Sequence, residues 1–530
     1  MKKRLIDIVG KIEYPITCAV IKNQLTGFLD EVETDIGTIE FLDVRSGEGR
    51  RTYERTLAFL SAYAASKLNP SWHLSIKHSY GDALYGEIEG EDPSLYVNDL
   101  LRVMKKAVEG DFEINKLELP KEDVIEKLRK EGREDDIKLL KFLSRYHIPI
   151  YTLNGFFAYF AGPLLPRTGL LKVFDIKPYP PGFLIVLPDP KNPDNLADIP
   201  HREKLFHTFQ ESKEWVKILG VNYVGDLNAL IASGKISEML KIQEAFHDKK
   251  IAQIADMIYR RKDSVRVVLI AGPSSSGKTT FAKRLRIHLR VVGLNPVTLS
   301  TDNYFVDREK TPLDENGEPD YESFEAIDHE LLREHLSMLI KGEEIQVPKF
   351  NFHTGHRSNK TIPLKLQKND IVIIEGIHGL NPRLTEGIPD ENKFRIYVSA
   401  LTQLNIDAIN RIPTRDTRLI RRIVRDMKYR GHDAKTTIQM WPKVQKGEEK
   451  WIFPYQEEAD VMFNSALVHE LAVLKIYAEP ILRVLDSSEK EYAEALRLLN
   501  FLSHFMGLLP DEIPPTSIVR EFIGGSSFRY

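Results

Sequence analysis

The chain has 530 residues, too many for one hydrophobic core and enough for roughly three to four domains at about 150 residues each. It is 42% hydrophobic and 28% charged with a net charge of −3, so no global field recruits nucleic acid, and such a partner is not expected except through the N-terminal region. A single cysteine, Cys18, excludes an intrachain disulfide and a cysteine-rich zinc site; no apolar run approaches a membrane span, and a cytoplasmic location with no membrane partner is expected.

In chain order, "IEFLDVRSGEGRRTYERTLAFLSAYAASKLNP" predicts a short strand, a glycine-containing turn and an amphipathic helix, and "HLSIKHSYGDALYGEI" predicts strand, turn, strand. Residues 119–147 are charged and helical, a solvated face rather than a binding tail. From 150 to about 200 the chain turns apolar and proline-rich, which favours short antiparallel strands, and helices are expected over 202–262. From 263 the rhythm changes. The runs 265–272, 296–302, 370–376 and 394–400 are near-continuously apolar and separated by helical stretches, as parallel strands buried on both faces require. A doubly wound α/β sheet follows, with its ligand site at the carboxyl ends of the strands.

One motif sits at such an end. "AGPSSSGKTT" comprises Gly272, Pro273, Ser274, Ser275, Ser276, Gly277, Lys278, Thr279 and Thr280 and fits G-x-x-x-x-G-K-[ST] between a strand and a helix. Its glycines allow backbone N–H groups to approach phosphate oxygens, and the helix N-terminus adds a favourable dipole. Lys278 is expected to reach the β- and γ-phosphates of ATP, and the Thr279 hydroxyl to help hold Mg²⁺. Asp302 and Glu375 each end a later strand, where a carboxylate can hold the metal or accept a proton. Arg418, Arg422 and Arg425 share one helical face, with Arg430 at its end, and a basic helix closing over transferring phosphates is the expectation.

Together these residues resemble the uridine kinase and phosphoribulokinase branch of P-loop kinases, from about 265 to 480. The resemblance implies a C-terminal P-loop kinase with a parallel doubly wound sheet, ATP and Mg²⁺ as cofactors, and a nucleoside phosphorylated at its 5′-hydroxyl, most simply uridine or another pyrimidine nucleoside. It implies Asp302 as the base in "TDNYF", with Tyr304 and Phe305 beside the substrate; Glu322 as an acidic sugar contact; and Phe350 and Phe352 as aromatics that hold the base. It further implies Glu375 beside Thr279 at the metal, Lys278 and Arg425 in catalysis, Arg422 toward the substrate and Arg430 toward ATP. An aspartate at its ordinary pKa near 3.9 would already be ionised at neutral pH. Two positions depart from the family pattern: Gly355, with His353 and His356 nearby, stands where uridine kinases carry a base-reading histidine, and His432 stands at a lid arginine.

The front of the chain resembles the TGS domain, in its latter part, and the second additional domain of threonyl-tRNA synthetases. Where those enzymes carry an H-x-x-x-H pair, this chain has Arg55 and Phe59, so inherited zinc-dependent editing is not expected. The expected division is thus an α+β front of 1–45 and 46–150, a connecting region of 151–262, the kinase at 263–485 and a helical extension at 486–530. Two rival readings remain open: a kinase for another hydroxylated acceptor such as a sugar phosphate, and an ATP-switched RNA-linked regulator. Oligomeric state is also open, a homo-oligomer included.

Overall fold

The computed structural model describes residues 2–35, 37–315, 317–351, 354–367 and 369–529. After a small three-stranded sheet around Ile16–Ile21, the front half is built on α1 (Gly47–Leu68). The Ser46 side chain accepts from Gly49 N at 3.1 Å and so caps that helix. There follow β1 (Leu74–Ser79), β2 (Ala83–Ile88), β3 (Asn115–Pro120), β4 (His147–Leu153), β5 (Phe156–Tyr159), β6 (Asp175–Tyr179) and β7 (Gly182–Val186). They form two antiparallel sheets, ordered β6-β7-β2-β1 and β5-β4-β3.

The boundary expected at 150 falls inside β4, and β7 pairs with β2, so 46–150 is not separable from the residues that follow. Periodicity identifies a strand but carries no record of its partner, which here lies about a hundred residues on. Helices do fill the next stretch, the longest being α2 (Ile236–Arg260).

The second half is a five-stranded, wholly parallel sheet made by β8 (Val267–Ala271), β9 (Asn295–Ser300), β10 (Asp370–Glu375), β11 (Lys393–Ser399) and β12 (Val461–Asn464), ordered β9-β10-β8-β11-β12. Four of these strands are the apolar runs of the sequence; β12 is too short to register as one. Around them lie α3 (Lys278–Val291), α4 (Thr414–Tyr429), α5 (Ala434–Trp451) and α6 (Glu470–Leu482). The extension beyond 486 is helical in part, over α7 (Tyr492–Leu502), and then runs as loops and short turns back to the sheet.

The halves share their cores. Ile251, Ile254 and Ile258 of α2 are buried in the same cluster as Phe281 and Leu285 of α3 and Ile396 of β11. In return Ile409, from the loop after β11, is buried in the front-half core with Phe59 and Phe183. Ile76 N donates to Ala408 O at 2.8 Å, and Asn405 Nδ2 donates to Ile76 O at 3.1 Å. No helix among the described residues is long and apolar enough to cross a membrane.

Candidate active site

Strand register assembles the site. Glu375 lies level with Ser300 of β9 and Ile270 of β8, so the chain leaves all three strands at one edge of the sheet. After β8 it turns through Gly272, whose φ is 157°; a Cβ there would stand 2.0 Å from Val398 O, so only glycine lets the loop cross β11. Gly277, at φ 84°, hands the chain to α3, which begins at Lys278.

The loop is braced from below. Arg418 of α4 is 2% exposed, donates from Nε to Ser274 O at 2.9 Å and pairs with Glu448 of α5, which also accepts from Ser274 N at 2.9 Å. Arg421, fully buried, donates to Ser275 O at 3.3 Å and Ser465 O at 3.0 Å and pairs with Glu470. Arg422 Nη1 donates to Ser274 Oγ at 2.8 Å. Arg418, expected on a closing basic face, is therefore a buried brace, because that face of α4 lies on the loop rather than above it. The hydroxyls of Ser275 and Ser276 are buried and make no hydrogen bond, as fits a cradle completed by an oxyanion.

Lys278 is buried; its Nζ donates to Pro273 O at 3.1 Å. Burial lowers its pKa, while the carboxylates of Glu375 and Glu521 oppose that shift. Burial pushes Glu375 up to about 7, opposed by Lys278, and Thr279 hydrogen-bonds the same carboxyl. Asp302 occupies the one-turn helix Thr301–Tyr304 after β9, its N donating to Ser300 Oγ at 3.2 Å. Its side chain opens to the cleft, but the enclosing walls raise its pKa against the pull of Lys278 and Arg430. The ordinary pKa expected of this aspartate is thus corrected upward.

Around this centre, Glu322 is pushed up to about 7 by burial, with Arg422 opposing. Gly447 of α5 admits it: a Cβ on Gly447 would meet Glu322 Cβ at 2.4 Å. Phe305 and Phe350, both half-buried, have ring centroids 5.7 Å apart. Phe352 and His353 lie outside the described residues. Tyr304 is corrected outright. It has no exposed surface and its hydroxyl bonds His335 Nδ1 at 2.9 Å, because two residues on from Asp302 in this 3₁₀ turn, about 240° around the axis, the side chain points away from the cleft into the core.

Asp426, fully buried, gathers three arginines: Arg425 at 2.9 Å, the buried Arg422 at 3.1 Å and exposed Arg430 at 3.6 Å. Burial and the neighbouring Arg425 lower Arg430 to about 10. His432 N donates to Asp426 O at 3.2 Å and its buried Nδ1 has no partner. Exposed His356 faces Asp307 and Glu309 at 3.7 and 3.6 Å. Gly355 takes φ +77°, where a side chain is strained, and a Cβ there would displace the Arg308 side chain, whose Nε stands 2.7 Å away.

Beside Asp426, a second group has no signal in the sequence. Glu521, in the last segment, accepts from Thr280 N at 3.0 Å and Thr280 Oγ1 at 2.6 Å, placing a carboxylate at the N-terminus of α3. No spacing rule links positions 241 residues apart.

For a metal, Thr279 and Glu375 are the protein donors at hand, and no cluster of three or more His, Cys, Asp or Glu forms a cage among the described residues. Such a sparse set fits Mg²⁺, which keeps waters and binds through one or two carboxylates plus substrate phosphates.

A G-x-x-x-x-G-K-[ST] loop at the carboxyl edge of a parallel sheet, with a buried lysine, a buried glutamate and arginines packed against it, defines a P-loop protein. Residues 267–472 match the phosphoribulokinase / uridine kinase family. The chain is 30% identical over 208 residues to the uridine kinase of Staphylococcus haemolyticus (strain JCSC1435), spanning 39% of this chain and 91% of that protein. It is 30% identical over 208 residues to that of Anoxybacillus flavithermus (strain DSM 21510 / WK1), spanning 89% of it. Among solved structures it matches one described as a possible uridine kinase from Bacillus stearothermophilus, at 22% identity and TM-score 0.29, covering 41% of this chain and 98% of that one. The chain belongs to the phosphoribulokinase / uridine kinase family.

Proposed function

We propose that the protein transfers the γ-phosphoryl group of ATP to the 5′-hydroxyl of a nucleoside, uridine or another pyrimidine nucleoside first. The observation that carries this reading is the convergence of Lys278, Asp302 and Glu375 at one sheet edge, beside the Phe305–Phe350 pair. Lys278 and the loop amides hold the phosphates and stabilise charge on the group in transfer. Asp302 orients the acceptor hydroxyl and takes its proton, and burial, which raises its pKa against the pull of Lys278 and Arg430, makes it the stronger base. Bound Mg²⁺, held by Thr279 and Glu375, supplies further neutralisation of phosphate charge. Phe305 and Phe350 offer aromatic faces to a base, and Glu322 an acceptor to sugar hydroxyls. Arg425 and Arg430, tethered with Arg422 by Asp426, are the cations available to close over the phosphates, while Arg422 is held against Ser274 of the loop.

We further read the front half as a binding module of synthetase-like shape without the editing chemistry. Phe59 is sealed in the core against Phe156 and Phe160, one helical turn from Arg55. An acceptor panel tests the kinase reading: uridine, cytidine, adenosine and ribulose 5-phosphate, each with ATP and Mg²⁺. The pyrimidine nucleosides are expected to turn over fastest. A preference for the sugar phosphate would reassign the acceptor.

A further inference from the structure

Away from the loop, the two halves enclose a cavity of about 270 Å³. A single water needs only about 10–15 Å³ of such space, so the cavity has room for a small organic molecule and none for a polynucleotide. Its wall is made by α1, by the segment around Tyr151 and Phe160, by the loop leading into α4 and by α7.

The charges on this wall do not cancel locally. Each of its five carboxylates has a cation. Glu54 meets Arg411 at 2.7 Å, Asp416 meets Arg497 at 2.7 Å, and Glu48 meets Arg497 at 3.1 Å. Asp30 and Glu118 meet Lys116 at 2.8 and 3.3 Å. Of the three remaining wall cations, Arg51 pairs with Glu48 and meets Glu494 at 3.5 Å, whereas among the described residues no carboxylate lies within 4.0 Å of Arg55 or Arg145.

Arg55 is held in place rather than loose. Its Nε donates to Pro163 O and its Nη2 to Thr52 Oγ1, both at 3.1 Å. Arg145 Nη2 donates to Asn500 Oδ1 at 2.9 Å. Loss of hydration lowers the pKa of Arg55, with the charge of Glu48 opposing, the cost of enclosing a guanidinium that no carboxylate touches. An oxyanion repays that cost, and the planar fork of arginine matches carboxylate and phosphate alike. Between the charged groups the wall is apolar, with Ala58, Ile76, Leu84, Phe160, Ile406 and Ile409.

We infer that this cavity is a binding site for a small organic acid, a carboxylate or phosphate monoester on an apolar body, whose oxyanion is held by Arg55 with Arg145 as the second contact. The site is separate from the phosphate loop and does not depend on the kinase reading.

The test is calorimetric titration of the intact protein, with Mg²⁺ and a non-hydrolysable ATP analogue saturating the loop. The probes are butanoate, butyl phosphate and the neutral isostere butanamide. At least one acid should bind at millimolar concentration and the amide should not; which acid binds identifies the oxyanion. Arg55→Gln and Arg145→Gln should each weaken binding at least about tenfold, the loss of a charge-assisted hydrogen bond. Arg55→Lys keeps the charge and guards against misfolding, and unchanged affinity for the ATP analogue checks that each variant is folded. Binding of neither acid, equal binding of the amide, or binding indifferent to both glutamine variants would overturn the inference.

Discussion

Asp302 and Glu375 stand near enough to feel one another's charge, yet the site needs different things from them. Asp302→Asn keeps the shape and hydrogen bonding of the side chain and removes the proton acceptor. Turnover with uridine should fall by about 10² or more, and affinity for ATP should change far less. If ATP affinity collapses while turnover of the saturated enzyme holds, Asp302 serves the metal instead. Glu375 makes a prediction about pH. With its pKa pushed up to about 7, it is protonated below that point and ionised above it, so apparent Mg²⁺ affinity should rise as pH climbs through neutrality. In the ligand-free protein the sign reverses. The folded state binds this proton more tightly than the unfolded chain, so Glu375 contributes stability that is lost as pH rises through about 7. Glu375→Gln should weaken Mg²⁺ at least about tenfold and flatten the metal's pH dependence, checked by titrating activity against Mg²⁺ at several pH values. Lys278, Thr279, Asp302 and Glu375 were legible in the sequence, because a loop motif and two strand ends define positions within a known geometry. Tyr304 was misread because adjacency to Asp302 says nothing about rotation around a short helix. Asp426 and Glu521 were invisible, since their meaning lies in partners that only the fold supplies.

At the scale of elements, α4 is where charge and packing meet. Its sequence reads as a basic amphipathic helix, and the helix is there; what the spacing could not tell is which arginines face solvent. Arg418 and Arg421 are buried beneath the loop, each against one buried glutamate. A buried pair is weak evidence of net stabilisation, but removing one partner strands the other charge. Glu448→Ala should therefore cost about 3–5 kcal/mol in urea unfolding and loosen the loop through Ser274. Double substitution of Arg418 and Glu448 by apolar residues of similar volume should recover much of that stability without recovering ATP affinity. A loss under about 1 kcal/mol for Glu448→Ala, the scale of an exposed pair, would mean that the brace is solvated in solution.

For the whole molecule, the alternation of strands and helices after 263 announced the sheet, and the domain boundary it suggested is a boundary of topology rather than of packing. A chain cut at 263 exposes the face of α3 that Ile251, Ile254 and Ile258 cover, and leaves Ile409 without its pocket. Such a fragment should aggregate or unfold at lower temperature than the intact chain, as light scattering during a thermal ramp would show. A fragment as stable and monodisperse as the full chain would mean that the shared core contributes little. The front half is thus part of the kinase's own packing, which a reading by separate motifs could not reveal.

The central claim is tested by incubating the intact protein with γ-labelled ATP, Mg²⁺ and uridine and following label into uridine 5′-monophosphate, beside a Lys278→Ala control that remains folded by circular dichroism. Labelled product is expected from the native chain and its loss in the variant. Near-equal transfer by the two proteins, or ATP hydrolysis with no label reaching any nucleoside, would contradict it.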